Sequence, residues 1–137
     1  MAELLDALLA PLSQGFVLRA LGAEPVPFSA SEECCGAYQS LAHPEAENER
    51  AGKVLRAANL SGAEAMVMTC PLCEYNLGGR QAEVLEHVEG LEAIPTFYFS
   101  QILAIALGLE PEIWNSELNS DSALELLKKK DFIAAPA

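Results

Sequence analysis

A chain of 137 residues with 51% hydrophobic side chains has material for one folded domain and is too apolar to remain disordered. Its 20 acidic residues outnumber 8 basic ones, and the resulting formal charge of −12 opposes binding to a phosphate backbone. No apolar run reaches the roughly 20 residues that a helical bilayer crossing needs, so no membrane span is expected.

The opening "MAELLDALLAPL" lacks the basic start of a signal peptide and carries Glu3 and Asp6, so a cytoplasmic, reducing compartment is expected. Leu4, Leu5, Leu8, Leu9 and Leu12 recur at helical spacing, and Val17, Leu18 and Leu21 continue the pattern after an interruption at Pro11 and Gly15. Gly22 suits a helix stop. "AEPVPF" (23–28) reads as a short extended segment that its two prolines confine to a sheet edge. A helix is predicted over 44–58, with Pro44 in its first turn and Ala51, Val54, Leu55 and Ala58 on one face. The compact run "AMVMT" (65–69) has the length of a buried parallel strand.

Pro71 suits the first position of another helix, whose apolar side continues through Val84, Leu85, Val88 and Leu91, with Gly78-Gly79 weakening or breaking it. "IPTFYF" (94–99) is a further strand candidate, and "SQILAIALGL" (100–109) reads as a buried helix ending at Gly108. A last helix runs from Ser120 or Asp121 to Lys130 with Leu124 and Leu127 inward, and its basic end, Lys128-Lys129-Lys130, complements the macrodipole. Strands alternating with helices predict an α/β layered domain with a short, mostly parallel sheet flanked by helices. In such sheets chemistry gathers beyond the carboxyl ends of strands, where "AMVMT" delivers "CPLC".

Cys34, Cys35, Cys70 and Cys73 are the chain's 4 cysteines. In a reducing compartment such clustering points to metal or redox chemistry before structural disulfides. The segment between the two pairs holds one helix and one strand, enough for a crossover that returns Cys70 beside Cys34 and Cys35. A CxxC at a helix start puts two sulfurs within reach of one ion, and the amides there favour thiolate. Gly36 permits backbone conformations that a Cβ resists.

Several readings compete. Four small buried hydrophobes would not fall into two tight clusters. Structural zinc asks for a tetrahedron of thiolates, which a vicinal pair serves poorly. An iron–sulfur cluster tolerates unevenly placed ligands. A metal-free dithiol switch would use Cys70 and Cys73 alone. A thioredoxin-like site fails because the stretch from Cys73 to Pro95 is too short for the elements that fold interposes. Among other residues, His43 and His87 read as surface histidines, and Glu32 and Glu33 face solvent. Tyr38 and Tyr75 either line the site or pack, and Trp114 belongs to a core or an interface.

Taken together, "ECCGAY", "GAEAMVMTCPLCEYNL" and "IPTFYFSQILAIALGLEPE" resemble the cysteine-rich CCG domain of the heterodisulfide reductase B-subunit family, above all its second, C-terminal CCG domain. The resemblance runs from about Leu18 to Glu112. It implies a Rossmann-like fold and a non-cubane [4Fe-4S] arrangement with Cys34, Cys35, Cys70 and Cys73 as ligands. Pro71 would shape the loop and Gly36 would give the cluster room. It further implies thiol–disulfide electron transfer beside flavin and ferredoxin-like subunits.

The sequence departs from the family in lacking an upstream cysteine, the opening strand that carries it, and a first CCG domain. Residues 1–137 are therefore expected to be a single CCG-like domain, with a complementary chain supplying the missing strand and ligand along an open sheet edge. The expected function is an iron–sulfur electron-transfer subunit or domain of a heterodisulfide-reductase-like oxidoreductase. The alternatives are a non-catalytic zinc-binding or assembly module, and the dithiol switch.

Overall fold

A computed structural model describes residues 14–133. The predicted leucine pattern from Leu4 to Leu12 lies outside them. The first described helix, α1 (Gln14–Ala20), passes through Gly15 without a break. It ends where Gly22 takes φ +90° and the amide of Ala23 reaches back to the Leu18 carbonyl at 2.9 Å, the bond pattern of a left-handed glycine stop.

"AEPVPF" forms no strand. Pro25 and Pro27 cannot donate to a ladder, and the segment crosses the surface as irregular chain. The chain then makes a 3₁₀ turn, Ala37–Gln39, and enters α2 (Pro44–Leu60) with Pro44 in its first turn, where a missing N–H goes unnoticed. Ala51, Val54, Leu55 and Ala58 are all buried, as the spacing predicts.

The sheet among the described residues has two strands, β1 (Met66–Met68) and β2 (Thr96–Tyr98). They run parallel, pairing Met66 with Thr96, Val67 with Phe97 and Met68 with Tyr98. Between them lie a single helical turn, α3 (Pro71–Cys73), a π-helical segment (Glu74–Gly79) and α4 (Gln81–His87). After β2 come α5 (Phe99–Ala106), a 3₁₀ turn (Ser116–Leu118) and α6 (Asp121–Lys129). The Ser120 Oγ caps α6 by accepting from the Ala123 amide at 3.3 Å. Lys130, beyond its end, pairs with Glu64 at 2.6 Å.

Because side chains alternate along a strand, the register puts Met66 and Met68 on one face of the sheet and Phe97 on the other. The core follows that division. One cluster joins Met66 and Met68 to Val54, Leu55, Leu77, Val84 and Cys35. The other joins Phe97 to Ile105, Trp114, Ala123 and Leu127. Helices thus cover both faces of a short parallel sheet, which is the predicted α/β class.

Two further details differ from the sequence reading. The predicted buried helix over 100–109 is half-buried: in and beyond α5, Gln101 and Ile105 are buried while Leu103, Leu107 and Leu109 are exposed. The sheet edge is not bare either. The Gln14 side-chain amide donates to the Val67 carbonyl at 2.7 Å, and Asn119 does the same for Thr96 at 3.0 Å on the far side, so side chains stand where ladder partners would.

Candidate functional site

Beyond the carboxyl end of β1 the chain passes through Thr69 to Cys70, Pro71, Leu72 and Cys73. Pro71 opens α3, and the amides of Cys73 and Glu74 both bond the Cys70 carbonyl at 3.0 Å. The same tight turn aims the Cys73 and Leu72 amides at the Cys70 sulfur. These donors, with the Cys73 thiol, hold the Cys70 pKa below the ordinary 9.0 against a small opposing effect of burial. Cys73 behaves oppositely: burial first, then the neighbouring Cys35 and Cys70 sulfurs, push its pKa up to about 12. From β2, the Tyr98 hydroxyl donates to the Thr69 carbonyl at 2.7 Å and ties the approach to Cys70 down.

The CCG segment meets this turn. Cys35 is 2% exposed, and its Sγ lies 4.0 Å from the Leu72 carbonyl, within the "CPLC" turn itself. Cys35, Cys70 and Cys73 are therefore neighbours, while Cys34, next to Cys35 in sequence, is exposed. Gly36 adopts φ +87°, and a Cβ there would come within 3.0 Å of the Arg50 side chain. Both its conformation and its closeness to α2 require glycine.

The remaining predicted residues fall around this centre. Tyr38 and Tyr75 are exposed, the latter with the Arg80 guanidinium 6.0 Å from its ring centroid. His43 and His87 are on the surface, Glu33 is 3.7 Å from Arg50, and Trp114 belongs to the second core cluster.

The donor chemistry at the convergence is soft sulfur, which suits iron–sulfur clusters and zinc. Among the described residues no three His, Cys, Asp or Glu side chains are grouped as a ready-made metal site. Sequence reasoning missed the polar residues beneath the CCG turn, Glu47, Asn76 and Arg80. They carry no motif, and only the fold brings them together.

Residues 12–78 match the family model CCG, a cysteine-rich domain. That match takes in just under half of the chain. All four cysteines lie inside the matched stretch. The chain is 29% identical over 99 residues, 72% of its length, to an 8-methylmenaquinol:fumarate reductase membrane anchor subunit of Wolinella succinogenes, of which the match covers 35%. It is 29% identical over 122 residues, 88% of its length, to the B subunit of a ferredoxin/F(420)H(2)-dependent CoB-CoM heterodisulfide reductase of Methanosarcina acetivorans, covering 41% of it. The B subunit of the ferredoxin:CoB-CoM heterodisulfide reductase of Methanosarcina mazei gives 29% over 115 residues, 82% of this chain and 38% of that one.

This chain thus spans well under half of each of these relatives, which are by name subunits of reductases. No helix among the described residues is long and apolar enough to cross a membrane.

Proposed function

We propose that this chain is the iron–sulfur electron-transfer domain of a heterodisulfide-reductase-like oxidoreductase complex. Cys34, Cys35, Cys70 and Cys73 are its ligands, in a [4Fe-4S] arrangement of non-cubane type. The observation that carries the reading is the meeting of two loops remote in sequence, with the Cys35 sulfur 4.0 Å from the Leu72 carbonyl inside the "CPLC" turn. A bound cluster would supply one-electron chemistry to the making and breaking of a disulfide.

The chain's own residues hold and tune the sulfurs. The Cys73 and Leu72 amides favour thiolate at Cys70, burial keeps Cys35 from water while Cys73 is half-buried, and Gly36 lets the vicinal pair approach α2. Such donors and burial are the levers by which a protein sets the properties of a sulfur-ligated centre. Flavin and ferredoxin-like subunits are its partners in this reading. A cytoplasmic setting keeps the thiols reduced.

The test is anaerobic purification, with reconstitution, followed by iron and acid-labile sulfide analysis. Iron and sulfide together are expected, lost in Cys70→Ser and in Cys35→Ser and retained in Ser100→Ala. Stoichiometric zinc without iron would replace this function with a structural one. A redox-dependent thiol count without any metal would replace it with a dithiol switch.

A further inference from the structure

Beneath the CCG turn lies a buried polar network that no sequence motif announces. Glu47 is fully buried, and the Arg80 Nη1 donates to its Oε2 at 2.6 Å. Burying an ion pair seldom stabilises a fold by itself; a well-attested use is to select one arrangement over its competitors. What this pair selects can be followed outward in both directions.

On one side, the same Arg80 Nη1 donates to the Asn76 Oδ1 at 3.3 Å. Asn76 is fully buried, and its Nδ2 donates to the Cys35 carbonyl at 3.0 Å. With its oxygen occupied by a guanidinium, the amide can present only its NH₂ to Cys35. Asn76 belongs to the π-helical segment Glu74–Gly79, the kind of helix irregularity that concentrates at functional sites. On the other side, the Ser40 hydroxyl donates to the Glu47 Oε1 at 2.7 Å, with the Ala37 carbonyl as the alternative acceptor for the same hydrogen. Both ends of the turn from Cys35 to Ser40 are therefore tied to one carboxylate–guanidinium centre. Cys34 differs from its neighbour in standing exposed.

We propose that Asn76, oriented by the Glu47–Arg80 pair, is a positioning residue that fixes Cys35 against the Cys70–Cys73 turn. The vicinal pair is thereby divided into a held inner thiol, Cys35, and an outward thiol, Cys34. This rests on the reading of these sulfurs as the functional centre, but the positioning itself is measurable without any cluster.

The test is alkylation of the metal-free full-length chain by iodoacetamide, with each cysteine quantified by peptide mass spectrometry. Asn76→Asp keeps the size of the side chain and an acceptor for Arg80 but removes the donor to Cys35. It is expected to raise the Cys35-to-Cys34 rate ratio about tenfold, as the loss of one buried hydrogen bond allows. Arg80→Lys keeps a cation beside Glu47 and loses the fork that orients Asn76, so a smaller rise is expected; it serves as the second variant if Asn76→Asp does not fold. Leu127→Ala loosens the opposite core cluster and is expected to leave the ratio unchanged.

An unchanged ratio in both network variants, or an equal rise in Leu127→Ala, would overturn the positioning role. Iron analysis of the reconstituted wild type keeps the two claims apart. A chain that takes up no iron yet shows the Cys35-specific rise would overturn the proposed function and support the positioning.

Discussion

Cys70 and Cys73 sit in one turn, three residues apart, yet their environments separate them. Amides aimed at the Cys70 sulfur lower its pKa below the ordinary 9.0, while burial and adjacent sulfurs push Cys73 up to about 12. Thiolate, not thiol, is the nucleophile. In the metal-free chain, iodoacetamide should therefore modify Cys70 with a pH profile that levels off earlier than in the urea-unfolded chain. Cys73 should still be gaining reactivity at the alkaline end. Identical profiles for both thiols would contradict the described geometry. At this scale the sequence is readable where a residue type has one use: Gly36 is expected to permit a backbone conformation that a Cβ resists, and it takes a left-handed conformation against Arg50. It is silent on Glu47, Asn76 and Arg80, because a polar side chain becomes interior only through partners far along the chain. Arg80 and Glu47 are separated by most of α2, a strand and the cysteine turn.

Elements are legible in proportion to their periodicity. The α2 face, the Pro71 helix start and the last helix beginning at Ser120 or Asp121 each rest on a repeating pattern or a residue with a fixed role, and each is present. The 23–28 segment forms no strand because its prolines cannot donate to a ladder, and the outer face of α5 departs from expectation because apolar content does not say which side finds a neighbour. Gly78 and Gly79 are expected to weaken or break a helix; the chain there widens into a π-helical segment that ends at Gly79, before α4 starts at Gln81. Two glycines make opposite predictions. Gly52 of α2 packs so closely under Val88 that a Cβ would lie 2.5 Å from its Cγ2. Gly52→Ala should cost about 1–3 kcal/mol through overpacking, read as a lower denaturation midpoint. Gly79 meets nothing within 4 Å, so Gly79→Ala should add about 0.4–1 kcal/mol by restricting the unfolded chain. Equal effects at the two positions would mean that the contact of α2 with Val88 is wrongly drawn.

For the whole molecule, the alternation of strand and helix is enough to give the class, a short parallel sheet with helices on both faces. What the sequence could not supply is how the sheet edges end, since the amides of Gln14 and Asn119 that meet them look like any surface polar residues. We propose that the two core clusters belong to one cooperative domain. Leu55, fully buried in the first cluster, is the place to test this. Leu55→Ala should remove about 2–5 kcal/mol, a large part of the roughly 5–15 kcal/mol that holds a domain of this kind together. The loss should appear equally in far-ultraviolet circular dichroism and in any probe of the second cluster.

Trp114 provides that probe. It is the chain's 1 tryptophan, it is 3% exposed, and its indole N–H meets no acceptor among the described residues. An indole so enclosed emits at short wavelength and shifts to the red once water reaches it. The native fluorescence therefore reports the face of the sheet turned away from the buried Met66 and Met68, and one dye-free spectrum separates melting of that face from events at the sulfurs.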